Sequence, residues 1–261
     1  MLSGTSVDPV GRRRATGGLL QTIGLPMMAI MPAPVSPFTN TILPIKVRRL
    51  AAHPNVVMAV LAGRTGPIIV EQDGVCVTGD VVLVRPGVVH GVLCGERGAD
   101  VLYLNGLTFP FEAPLAVPLK GILEQLAHRS LGCDPGASEE LRARLAFATG
   151  PLPTKIADIV RATQADPMRR VTQNELARYL DMERTRALRC FKAATGLTFR
   201  QFKRWSGLQH AAQQMARRTL VRTAAMDAGF ADTAHLSRVF RSTFGVSPGM
   251  AIAELDHLES E

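Results

Sequence analysis

At 261 residues the chain has room for two domains of ordinary size, and a hydrophobic content of 46% is ample for a core in each. The net charge of +8 is uneven: residues 154–250 hold 17 Lys and Arg against 7 Asp and Glu, and residues 1–153 hold 13 against 11. Cys76, Cys94, Cys133 and Cys190 are scattered without a CxxC pair, which argues against a disulfide framework and a zinc ligand set and fits reduced thiols.

Residues 1–39 read as a loose tail. Arg12-Arg13-Arg14 ahead of a mildly apolar stretch has the outline of a twin-arginine export signal, but Gly, Thr and Gln dilute that stretch. Pro26, Pro32, Pro34 and Pro37 would interrupt a helix there. No run approaches the ~18 apolar residues that cross a bilayer, so the expectation is a soluble, cytoplasmic protein with no membrane partner.

Residues 40–112 change to short β-branched runs separated by glycine, proline and charge: 45–47, 56–61, 68–70, 75–77, 81–84, 88–92 and 101–104. Many short strands at close spacing predict an antiparallel sandwich or barrel. Within them Gly79-Asp80-Val81-Val82-Leu83-Val84-Arg85-Pro86-Gly87-Val88-Val89-His90 resembles the second motif of the cupin barrels. The resemblance implies a barrel with a ligand-binding interior, and Arg85 and His90 are the candidate polar contacts for a small effector. His90 is also, and more commonly for a lone histidine, readable as a barrel-lining or surface histidine with a hydrogen-bonded ring. A metal needs three or four convergent ligands, and only His90 and His53 are on offer, with no HxH pair and no suitably spaced Glu. No metal, cofactor or catalytic residue is therefore expected.

Residues 113–150 form a helical linker. Phe109-Pro110, Pro114 and Pro118 should end the strands. Leu119, Ile122, Leu123 and Leu126 then make one apolar stripe. After the Gly132 to Gly136 break, Ser138 is a plausible N-cap for a second helix bearing Leu141, Leu145 and Ala148. This pair either packs back on the β domain or carries dimer contacts.

Residues 151–252 read as all-α. Residues 155–165 make a supporting helix, and Thr172 caps the next one, whose Leu176, Ala177 and Leu180 face inward. Asp181-Met182 turns into a helix over 183–194 with Phe191 buried. Thr198 caps a long connecting helix through Met215, striped by Phe202, Trp205, Leu208, Ala212 and Met215. The last helix pair carries the sharpest signal. Ala224, Ala225 and Ala228 permit a close crossing, Gly229 supplies a left-handed turn, Phe230 plugs the corner and Asp232 caps the final helix. Leu236, Val239, Phe240 and Phe244 form its core stripe. Its other face carries Thr233, Ala234, Ser237, Arg238 and Arg241, which suits a helix in a DNA major groove. Two helix-turn-helix units follow, at about 173–194 and 220–244. The span 151–252 should bind DNA on its own, and residues 253–261 form an acidic tail.

At Ala225, Ala228-Gly229-Phe230, Asp232, His235-Leu236-Ser237-Arg238, Phe240-Arg241 and Phe244-Gly245-Val246-Ser247-Pro248 the chain resembles the AraC/XylS family of bacterial transcription regulators. The likeness covers about 100 residues and implies a DNA-binding activator or repressor. Double-stranded DNA would be its partner, with a homodimer as the active form and RNA polymerase as a further partner if it activates. It implies base reading by Thr233, Ala234, Ser237 and Arg238, with Thr185 and Arg189 from the first unit. Phosphate contacts would fall to Arg184, Arg186, Lys192 and Arg241. The first unit departs from the family: Glu183 replaces a hydroxyl cap, Ala187 a larger apolar residue, and Leu188 a polar reader.

The expected architecture is α+β, an N-terminal all-β cupin-like barrel followed by an all-α domain with two helix-turn-helix units joined by a long linking helix. The expected function is a sequence-specific transcription regulator controlled by a small ligand or by oligomerisation through the N-terminal domain. The alternative is a metal-dependent cupin-type enzyme with a DNA-binding appendage. A DNA-repair methyltransferase would need a reactive cysteine cluster, which the isolated cysteines do not supply.

Overall fold

The computed structural model describes residues 40–106, 114–145, 152–169 and 171–252. The expected tails at 1–39 and 253–261, and the Phe109-Pro110 exit, lie outside the described residues. Strands come first: β1 (Thr41–Ile45), β2 (Arg49–Pro54), β3 (Met58–Gly63), β4 (Ile68–Gln72), β5 (Val75–Gly79), β6 (Val81–Val84), β7 (Val89–Leu93), β8 (Ala99–Leu104) and β9 (Ala116–Pro118). Helices follow: α1 (Ile122–Leu131), α2 (Pro135–Leu145), α3 (Thr154–Ala165), α4 (Gln173–Leu180), α5 (Arg184–Thr195), α6 (Phe199–Ala216), α7 (Val221–Asp227), α8 (Thr233–Phe244) and α9 (Pro248–Ile252).

The strands form two antiparallel sheets, β1-β8-β3-β6-β9 and β2-β7-β4-β5, rather than the closed barrel expected. Each sheet keeps its own edges, so the inner faces meet by side-chain packing and not through a continuous ladder. The five-stranded sheet is buried on both faces, which explains why Met58 to Ala62 and Val81 to Val84 are unbroken apolar runs instead of alternating ones. Its inner face packs toward the second sheet. Its outer face, with Met58, Val60, Leu83 and Leu102, is covered by Leu126, Ala127, Leu141 and Leu145 of α1 and α2. The helical pair thus packs back onto the β domain.

Three local expectations need correction. Pro118 does not exclude a strand: it ends β9, which pairs only with β6 at the sheet edge, where a missing N–H costs little. Strand β2 was not anticipated, because Arg49, Ala51, Ala52 and His53 have no β-branched character; its register also shifts between Leu50 and His53. Helix α2 begins at Pro135, not after Ser138. Asp134 Oδ1 accepts from the Ala137 N–H at 3.0 Å, and proline is well suited to the first helical position.

Beyond residue 151 the helices divide between two cores. The first holds Ile156, Val160, Leu176, Ala187, Phe191, Phe199 and Phe202, from α3, α4, α5 and the start of α6. The rest of α6, with α7 and α8, shares its core with the inner face of the β sandwich. Tyr103 of β8 meets Trp205 of α6 and Phe244 of α8 edge-on, with ring centroids 5.3 and 5.4 Å away. Burial raises the Tyr103 phenol's pKa. The Trp205 indole N–H donates to Asn105 Oδ1, and the Gln209 amide donates to Thr41 Oγ1. At the far end of α8 the Ala51 N–H of β2 donates to the Gly245 carbonyl at 3.1 Å. Among the described residues no helix is long and apolar enough to cross a membrane.

Candidate DNA-recognition surface

Helix α8 is the best-defined part of the surface. Asp232, extended in backbone, accepts from the His235 N–H at 2.6 Å and satisfies an N-terminal donor of the helix. Gly245 ends it in the left-handed conformation, at φ 72°. The turn before it forms as its residues dictate: Ala224, Ala225 and Ala228 are buried, Gly229 has φ 78°, and Phe230 packs edge-on against the His235 ring. The sequence reading missed Gly207. A Cβ there would lie 2.7 Å from the Ala228 carbonyl oxygen, so the α6–α7 crossing depends on it. A glycine in the middle of an otherwise helical run was the available signal.

Leu236, Phe240 and Phe244 are buried, and Thr233, Ala234, Arg238 and Arg241 are exposed; Ser237 is half-buried beside them. Among the described residues neither Arg238 nor Arg241 forms an ion pair or side-chain hydrogen bond. The contact that could tie Arg238 to Asp232 is not made. Two cationic arms therefore project from one helix face opposite the core.

The first unit is built differently. Thr172 and Glu175 close a reciprocal capping box on α4, and Asp181 turns in the left-handed region at φ 55°. Glu183 caps α5 by accepting from the Arg186 N–H at 3.1 Å. The N–H groups of Thr185 and Arg186 hold its carboxyl below the usual carboxylate range, and the Thr185 side chain is drawn to it as well. Arg184, Thr185, Arg186, Arg189 and Lys192 are exposed, Ala187 is buried and Leu188 is half-buried. An open hollow of about 620 Å³, lined by Asn174, Arg178, Asp181, Glu183 and Arg184, runs between α4 and α5. Not every basic residue is available to a partner. The Lys203 ammonium donates to the Val171 carbonyl at 2.7 Å and sits 5.1 Å over the Phe199 ring.

In the β domain, His53 and His90 are cross-strand neighbours, each 2% exposed, with ring centroids 4.9 Å apart. Their Nδ1 atoms face the carbonyls of Ala51 and Val88 at 2.8 Å, which makes Nδ1–H the donor in both rings. Burial pulls the His53 pKa down to about 4 and lowers that of His90. Arg85 is half-buried at the end of β6. Among the described residues no three His, Cys, Asp or Glu side chains are grouped to hold a metal ion.

Residues 176–252 match the family model described as a helix-turn-helix domain. The chain thus carries a helix-turn-helix domain behind an N-terminal β domain. Among solved structures it is similar to ToxT from Vibrio cholerae O395, at 12% identity over 85% of this chain and 98% of that one, with a TM-score of 0.55. The same strain's ToxT bound to (E)-4-(8-methylnaphthalen-1-yl)but-3-enoic acid is 11% identical over 83% and 98%, at 0.54. ToxT from strain SCE256, bound to an unsaturated fatty acid, is 13% identical over 82% of this chain and 94% of that one, at 0.52. At these identities the likeness speaks for the fold. No curated protein matches the sequence significantly.

Proposed function

We propose that this protein is a cytoplasmic, sequence-specific DNA-binding transcription regulator whose N-terminal domain responds to a small ligand or to oligomerisation. The observation that carries the reading is α8: an AraC-type helix whose apolar stripe is buried while Arg238, Arg241, Thr233 and Ala234 face outward together. A helix of this kind fits the major groove. Arg238, with Thr233, Ala234 and Ser237, meets base edges, and Arg241 meets a phosphate. In the first unit Thr185 and Arg189 take the base-reading role, and Arg184, Arg186 and Lys192 neutralise phosphates. Glu183 lies at the tip of that helix, so this unit contributes less attraction to the duplex than α8.

The effector is a small molecule held by the β domain, with Arg85 and His90 as its polar contacts. The carboxylic acids bound by ToxT favour an apolar acid as the first class to try. A homodimer is the active form, and RNA polymerase is a further partner if the regulator activates. Selection of DNA bound by the full chain from a random library tests the reading. A recovered motif, bound with steep salt dependence, is expected; recovery of no motif would refute sequence-specific regulation.

A further inference from the structure

Among the described residues Arg142 is the one Lys, Arg, Asp or Glu that is buried, at 8% exposure. It rises from α2, in the layer covering the outer face of the five-stranded sheet. Its Nη1 donates to Asn40 Oδ1 at 2.8 Å and its Nη2 to the main-chain carbonyl of Asn105 at 2.6 Å. Asn105 follows directly on β8 and is itself 2% exposed. The Asn105 side chain accepts from the Trp205 indole N–H of α6. One residue therefore receives a bond from the helical pair through its backbone and a bond from the DNA-binding domain through its side chain.

The neighbouring positions repeat this two-sided arrangement. Leu104 packs outward in the cluster with Leu126 and Leu141 of α1 and α2. Tyr103 packs inward against Trp205 and Phe244. Successive side chains of a strand point to opposite faces, so the end of β8 touches both layers at once. Breaking either of these bonds leaves a buried donor or acceptor unsatisfied, so the bonds hold the segments they join in register.

We propose that Arg142 is a positioning residue for the DNA-binding domain, acting through Asn105 on Trp205, so that the seating of the α1–α2 pair on the sheet is felt at the second helix-turn-helix unit. The consequence for DNA rests on the DNA-binding reading given above, but the mechanical link does not.

Trp205 is the single tryptophan of the chain, so intrinsic fluorescence reads this seam directly. Arg142→Met in the full chain is expected to red-shift Trp205 emission and increase its quenching by acrylamide, with Arg142→Lys in between. Leu141→Ala loosens the same helix without touching Asn105 and is expected to leave the emission unchanged. With DNA selected by the wild-type chain, Arg142→Met should weaken binding about 2- to 30-fold, the span of measured couplings through contacts remote from a ligand. Unchanged emission in folded Arg142→Met overturns the proposal, as does an equal shift in Leu141→Ala. Should Arg142→Met fail to fold, unchanged emission in Arg142→Lys overturns it. A wild-type chain that selects no DNA motif removes the DNA-binding reading while leaving the fluorescence result to decide the link.

Discussion

Gly207 of α6 faces the Ala228 carbonyl at the end of α7, so closely that a Cβ at 207 would stand 2.7 Å from the oxygen. This contact sets the crossing of the linking helix with the second helix-turn-helix unit. Gly207→Ala gains about 1 kcal/mol of helix propensity but forces main-chain atoms apart, at a cost of about 1–3 kcal/mol. A net loss of about 1 kcal/mol is expected, read as a lower urea midpoint with an unchanged slope. A midpoint at or above that of the wild type would show that the crossing can relax.

Arg238 and Arg241 lie on the same exposed face of α8 but should fail differently. Arg238→Ala is expected to cost about 1–3 kcal/mol and to relax preference at one position of the selected motif. Arg241→Ala should weaken all sequences alike and lower the salt slope by about one. Equal losses on motif and random DNA for folded Arg238→Ala would remove its base-reading role.

The Asp232 cap joins stability to recognition, because the turn it anchors bears Thr233 and Ala234. Asp232→Ala should destabilise the protein by about 1 kcal/mol, and Asp232→Asn, which keeps an acceptor, by much less. Thermal melts of the two variants that coincide would show that the bond to His235 N–H contributes nothing.

The buried histidine pair gives stability a pH dependence with a definite sign. His53 is depressed from 6.5 to about 4, with burial as the main cause, so the unfolded chain binds the proton more readily throughout that interval. Stability is present above pH 6.5 and is lost as the pH falls toward 4, by no more than about 3 kcal/mol. His53→Gln should flatten the unfolding midpoint between pH 6.5 and 4. A variant as steep as the wild type would assign the dependence elsewhere.

A fragment of residues 151–252 contains both helix-turn-helix units and most of the positive charge, and it is expected to bind DNA with salt sensitivity. It lacks Tyr103, Asn105 and Thr41, the partners of Trp205, Phe244 and Gln209. Its denaturant midpoint should therefore fall below that of the full chain, with Trp205 emission shifted to the red. Equal midpoints would mean that the shared core adds no stability.

What the residues determine by themselves is local. The stripe of Leu236, Phe240 and Phe244, the Asp232 and Thr172 caps and the left-handed Gly229 and Gly245 all act over a few residues. Helices α4 to α8 were accordingly legible in place, together with the exposed face of α8. The β runs at 56–61, 81–84 and 101–104 were legible as strands for the same reason, within about two residues of β3, β6 and β8. Whether they closed into a barrel was not, since closure depends on which edges find each other. Only the tertiary structure decided that the second helix-turn-helix unit shares its core with the β sandwich. Trp205 and Phe244 belong to apolar stripes whatever covers them, and nothing near them in sequence marks Tyr103 as the partner. Nothing in the sequence singles out Asn105, Thr41, Gln209 and Arg142, because a polar side chain becomes a buried tie only when a distant segment delivers its partner. Periodicity and capping are short-range and carry their own signature; the meeting of one buried face with another is long-range, and similar apolar faces do not announce their mates.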